Sequence, residues 1–187
     1  MSTKSVCILL ADGFEEVEAL MPADILKRLN VKVILAGVES LKVRGAHDFY
    51  ICAESLMKDV DVAEIDAVIL PGGLPGAINL RESQEVSDFI NLANENGKIC
   101  AAICAAPVVL RDSGAARGKH LTGYPETERL SRDPAFRYTG KDVETDGNII
   151  TAKGMGKAAA FAFAIARGLG IAEERVRGIA EDTFISD

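Results

Sequence analysis

Short unbroken apolar runs alternate along the chain with stretches in which apolar residues recur every three or four positions. The run SVCILLA (residues 5–11), stopped by Asp12-Gly13, predicts a strand buried on both faces. From Phe14 to Leu29, apolar residues at Phe14, Val17, Met21, Ile25 and Leu29 form one stripe of an amphipathic helix. Pro22 cannot donate to the Glu18 carbonyl and is expected to kink that helix. VKVILAGV (31–38) predicts the second strand, LKVRGAH and FYICAESL two short β segments around a turn, and AVILPGG (67–73) another buried strand. SQEVSDFINLANENG reads as an acidic helix ending at Gly97, KICAAIC (98–104) as the next strand and AAPVVLRDSG as the short helix behind it. Two further short strands flank Asp146-Gly147, a hairpin signal, and GKAAAFAFAIARGLG is a buried helix with a glycine stop.

Apolar strands alternating with helices predict an α/β fold, a flavodoxin-like, doubly wound, mostly parallel sheet with helices on both faces. Such sheets place their sites at the carboxyl ends of strands, and three of those ends are unusual: Asp12-Gly13 before a Glu-rich helix start, Pro71-Gly72-Gly73, and Cys104. With 187 residues, 48% of them hydrophobic, the chain reads as one domain over 1–187, without repeats or linkers. AAAFAFAIA is too short and Ala-rich to cross a bilayer, and no signal pattern opens the chain, so a soluble, cytoplasmic protein is expected, with no membrane partner.

A net charge of −7 without a basic run disfavours binding to phosphate backbones, so nucleic acid is not expected as the primary partner. The four cysteines, Cys7, Cys52, Cys100 and Cys104, read as reduced thiols rather than a secretory disulfide framework. There is no CxxC pair or His/Cys cluster, and His47 and His120 are the only histidines, so no metal is expected.

Cys104 falls where an apolar strand gives way to a helix with Pro107 in its first turn. The free N–H groups there should stabilise a thiolate and lower its pKa, as a nucleophile needs. Cys7, Cys52 and Cys100 lie inside β segments and read as packing residues. Glu18 places a carboxylate on or beside the apolar stripe of the first helix, costly unless used; taken alone it reads equally well as functional or structural. Glu15 and Glu16 need only the helix dipole to explain them. Gly72-Gly73 could supply N–H groups to an oxyanion or could be a plain turn. GMG at 154–156 lacks the spacing of a phosphate loop. No catalytic histidine is evident: His47 sits in the hairpin region, His120 at the start of a short strand, and each reads as a surface residue, which argues against a peptidase or glutamine amidotransferase.

In combination and order, ADGFEEVEAL, LPGGLPGAINL, AAICAAP and TAKGMG resemble the ThiJ/PfpI superfamily, most closely its parkinsonism-associated deglycase (DJ-one) branch and bacterial relatives, from Val6 to about Gly170. The resemblance implies the class I glutamine amidotransferase-like variant of the fold, Cys104 as nucleophile, Glu18 as the carboxyl group that hydrogen-bonds its sulfur, and Gly73 with Ala105 as backbone donors. Gly72 and Tyr124 would line the substrate site. It further implies a homodimer through the first helix, with Val17 and Arg28 near the interface. Some members carry a histidine where Tyr124 stands, and peptidase-like members carry one directly after the nucleophile, where this chain has Ala105.

Two functions follow from the resemblance. One is a cofactor-independent glyoxalase or deglycase acting on 2-oxoaldehydes such as glyoxal and methylglyoxal, or on their early glycated adducts, with Cys104 as nucleophile and Glu18 as acid and base. The other is a redox-sensing stress protein or chaperone regulated by oxidation of Cys104 to the sulfinate.

Overall fold

The computed structural model describes residues 3–125 and 135–185. In chain order its elements are β1 (Ser5–Leu10), α1 (Glu16–Arg28), β2 (Lys32–Gly37), β3 (Lys42–Arg44), β4 (Tyr50–Cys52), β5 (Ser55–Leu56), β6 (Ala67–Leu70), α2 (Gly76–Glu82), α3 (Gln84–Glu95), β7 (Ile99–Ile103), α4 (Pro107–Asp112), β8 (His120–Leu121), β9 (Arg137–Tyr138), β10 (Val143–Asp146), β11 (Ile149–Ala152), α5 (Ala158–Gly168) and α6 (Glu173–Asp182).

Seven strands form one sheet in the order β10-β11-β7-β6-β1-β2-β5, parallel except for β10, which pairs antiparallel with β11 at one edge. Strand order turns back between β1 and β6, so the chain leaving β1 and the chain leaving β6 diverge and open a crevice at the carboxyl edge. The exit of β7, with Cys104, lies beside it.

Side chains alternate between two cores, one on each face of this sheet. Val6, Ile8 and Leu10 of β1 join α1, α5 and α6 on one side, while Cys7 and Leu9 join α2, α3 and α4 on the other. Likewise Ile99, Ala101 and Ile103 of β7 face the first core and Cys100 and Ala102 the second. A strand with period-two side chains and apolar cover on both faces must be apolar at every position, which is why these runs are unbroken.

The expected stripe of α1 is rotated. Its buried face carries Glu18, Ala19, Pro22, Ala23, Ile25 and Leu26, and the helix runs on through Pro22. Val17 and Met21, expected inside, are 38% and 37% exposed. Small Ala19 and Ala23 let α1 lie close against α5, and the larger Val17, Leu20 and Met21 remain outside. Phe14 is fully buried but precedes the helix. α6 packs on the first core through Val176 and Ala180, with Ile179 partly buried beside them. No helix among the described residues is long and apolar enough to cross a membrane.

Candidate active site

Three strand exits converge at the carboxyl edge, and each contributes one part. After β7 the chain turns sharply at Cys104, whose φ of 62° puts a side-chain-bearing residue in the left-handed region. That conformation costs on the order of 1–2 kcal/mol and persists only where the surroundings impose it. Here the Cys104 N–H donates to the Ala152 carbonyl at 2.9 Å, and the Cys104 carbonyl accepts from the Tyr124 N–H at 2.7 Å. The elbow is thus clamped from two sides, with its sulfur against the β6 exit. α4 then begins with Pro107 at its first positions.

After β6, Gly72 donates its N–H to Glu18 Oε2 at 2.9 Å, and its carbonyl accepts from the Glu15 N–H at 2.9 Å. A Cβ at Gly72 would lie 2.6 Å from Glu18 Oε2 and 2.7 Å from Cys104 Cβ, so glycine is required for carboxyl and elbow to approach. Glu18, from the first turn of α1, is 1% exposed, and its second oxygen, Oε1, has no hydrogen-bond partner among the described residues. Its carboxyl is a hydrogen-bond partner of the Cys104 sulfur, which also receives the backbone N–H groups of Ala105 and Gly73.

Burial pushes the Glu18 carboxyl up to about 7, against the Cys104 and Gly72 hydrogen bonds, which favour its ionised form. The Cys104 thiol is pushed up to about 12, first by burial and then by the Glu18 charge; the Ala105 and Gly73 N–H groups pull the other way. The thiolate expected from a helix start is therefore corrected. α4 is six residues long and begins three positions after the sulfur, so its dipole is outweighed by a dry site and a neighbouring carboxylate. Thiol and carboxyl are thus coupled, each acting on the ionisation of the other. A carboxyl near 7 is well matched to take the thiol proton during attack and return it later.

The pair lies on a cavity of about 570 Å³ whose lining includes Glu15, Glu18, His47, Cys104, Tyr124, Gly154 and Lys157. The structure thus brings Cys104, Glu18, Gly72, Gly73, Ala105 and Tyr124 together. Tyr124 is half exposed and engages the elbow through its backbone. Cys7 and Cys100 are buried in the second core, away from this cavity, and burial pushes both thiols up to about 12. Cys52 is exposed on β4.

His47 is exposed, as expected of a surface residue, and it also lines the cavity. Its Nδ1 lies 2.9 Å from Glu16 Oε2 and 3.7 Å from Glu15 Oε1, and its N–H donates to Glu16 Oε1 at 2.8 Å. No local signal points to it, because its position depends on the β3–β4 turn folding onto the start of α1. His120 pairs with Asp146 at 2.9 Å, at the start of β8.

Residues 4–168 match the DJ-1/PfpI family. The chain belongs to this family. Protein dj-1beta of Drosophila melanogaster is 37% identical over 185 residues, 98% of each chain. Its crystal structure superposes with a TM-score of 0.95 over 100% of both chains. The Parkinson disease protein 7 homolog of Danio rerio is 34% identical over 172 residues, 90% of this chain and 91% of that one. A Caenorhabditis elegans relative named glutathione-independent glyoxalase DJR-1.2 is 30% identical over 167 residues, 89% of each. Membership in the DJ-1/PfpI family bears out the resemblance carried by the glutamate, glycine and cysteine motifs, and with it the α/β, mostly parallel sheet.

Proposed function

We propose that this DJ-1/PfpI protein is a cofactor-independent glyoxalase acting on small 2-oxoaldehydes, or on their early adducts with amines and thiols as a deglycase. The observation that carries the reading is a buried carboxyl with a pKa near 7 bonded to a thiol at the floor of an open cavity. Glu18 takes the Cys104 proton as sulfur adds to the aldehyde carbon, giving a hemithioacetal. The Ala105 and Gly73 N–H groups receive the oxygen that gains charge. Glu18 then moves a proton from the former aldehyde carbon to the adjacent carbon, leaving a thioester. Water cleaves it, releasing a 2-hydroxy acid and restoring the thiol; methylglyoxal plus water gives lactate. The worm relative bearing the glyoxalase name supports this chemistry. Product-resolved kinetics test it: purified protein should convert methylglyoxal to lactate, and conversion unaffected by Cys104→Ser would rule the mechanism out.

A second reading uses the same pair. Two equivalents of peroxide convert the Cys104 thiolate to a sulfinate with release of two waters, and a protonated Glu18 donates to it. The burial of Glu18 beside the Cys104 sulfur favours this reading, since its carboxyl is placed to donate to an oxygen carried by that sulfur. We also infer a homodimer across α1. Its exposed Val17, Leu20 and Met21, with Phe184 and Ile185, line an apolar groove of about 620 Å³ that a second copy would cover.

A further inference from the structure

The acidic start of α1 is tied to a segment distant in sequence. Gly13 donates its N–H to the Arg44 carbonyl at 2.7 Å, Arg44 donates its N–H to Asp12 Oδ1 at 2.8 Å, and Ala46 donates to the Phe14 carbonyl at 2.9 Å. His47 completes this seam through both its N–H and its imidazole to Glu16. Gly45 makes the approach possible: a Cβ there would lie 2.1 Å from Glu16 Oε1. We propose that His47 is a positioning residue of the active site, holding the start of α1 through Glu16 and offsetting with its positive charge the carboxylates of Glu15 and Glu16 that stand before Glu18. The proposal rests on the Cys104–Glu18 pair of the preceding reading and requires no particular aldehyde as substrate.

The charges around the imidazole support this role. Glu15 and Glu16 face it from α1, and Asp48 from its own turn. Asp48 is engaged by Arg44 at 2.8 Å from Nε, and Asp12 accepts from the Arg44 N–H. Across the cavity stand Lys153 and Lys157, the latter paired with Asp142 at 2.7 Å. Among the described residues, His47 is thus the titratable base hydrogen-bonded to Glu16 at the acidic helix start. Its hydrogen bond to Glu16, with the charges of Glu15 and Glu16, holds the imidazole above its ordinary pKa. The Glu15 charge in turn acts on Glu18, adding to the upward push of burial. Losing the imidazolium leaves Glu15 and Glu16 uncompensated and makes Glu18 harder to ionise, so the base beside Cys104 would come into action at a higher pH.

The test is the rate of Cys104 alkylation by iodoacetamide against pH, read by peptide mass spectrometry so that exposed Cys52 is scored separately. In His47→Gln and His47→Ala the acid limb should move up by about 0.5 pH unit, about threefold slower at a fixed pH on that limb. His47→Lys, which keeps a cation, should return the wild-type curve. Circular dichroism establishes folding, and His47→Gln, which retains hydrogen bonding, carries the test where His47→Ala does not fold. A His47→Gln curve superimposable on wild type overturns the proposal, as does a His47→Lys curve displaced as far as His47→Gln. No aldehyde turnover enters this assay. Absence of lactate formation would therefore sink the glyoxalase reading alone, and an unshifted alkylation curve the role of His47 alone.

Discussion

Cys100 and Cys104 stand four residues apart, one within β7 and the other at its exit. Burial pushes both thiols up to about 12, so burial alone does not distinguish them. Cys100 is wholly enclosed by the second core, and its sulfur has only long contacts, 3.9 Å to the Ile90 carbonyl and 3.8 Å to the Lys98 carbonyl. Cys104 has a carboxyl able to take its proton, backbone donors for developing charge, a strained elbow and an open cavity. The comparison teaches that here a reactive thiol is marked by a neighbouring carboxyl, backbone donors and an open cavity, and not by its degree of burial alone.

The sharpest way to break the comparison is to remove each sulfur in turn. Cys104→Ala should lower methylglyoxal turnover by at least about 1000-fold, as expected for loss of a nucleophile. Cys100→Ala should leave turnover within about twofold and cost about 1 kcal/mol of stability for the lost packing. Equal activity losses in the two variants would erase the distinction.

The carboxyl half of the pair carries a stability cost that depends on pH. Glu18 titrates near 7 in the folded protein against an ordinary value of 4.5. Below the lower value it is protonated in both folded and unfolded chains and costs nothing. As pH rises through the upper value the folded chain must hold a buried charge that the unfolded chain solvates, and stability is lost. Glu18→Gln should therefore stabilise the protein by up to about 3 kcal/mol at about pH 8 and change little at about pH 4.5, measured by urea unfolding. Equal stability of the two proteins at about pH 8 would contradict the buried, raised carboxyl.

Gly72→Ala should have a smaller effect than loss of either reacting group, lowering turnover by about tenfold. Its Cβ would push Glu18 Oε2 and Cys104 Cβ apart while both reacting groups remain. Kinetics matching wild type would show that the pair tolerates separation.

Much of this arrangement was legible in the chain. SVCILLA, AVIL and KICAAI announce two-sided burial because each strand feeds both cores, and the elbow at Cys104 follows from an apolar run ending before Pro107. The burial of Glu18 was legible from its place beside the apolar stripe, although the stripe itself was misjudged. Val17 and Met21 look like core residues, yet close packing on α5 selects Ala19 and Ala23 instead. The ionisation of Cys104 was not legible, since it depends on a carboxylate from α1 and on burial that exists only after folding. His47 was hidden for the same reason: the seam joining residues 12–16 to 44–47 is a tertiary feature.

The central claim, that Glu18 is the base for Cys104, is tested most directly by the pH dependence of kcat/KM for lactate formation from methylglyoxal. Wild-type protein should show an acid limb with a midpoint near 7, the value to which burial pushes Glu18. Glu18→Gln should lose that limb and fall by about 100- to 10,000-fold on the plateau. A Glu18→Gln protein that keeps both the wild-type rate and the wild-type limb would contradict the account.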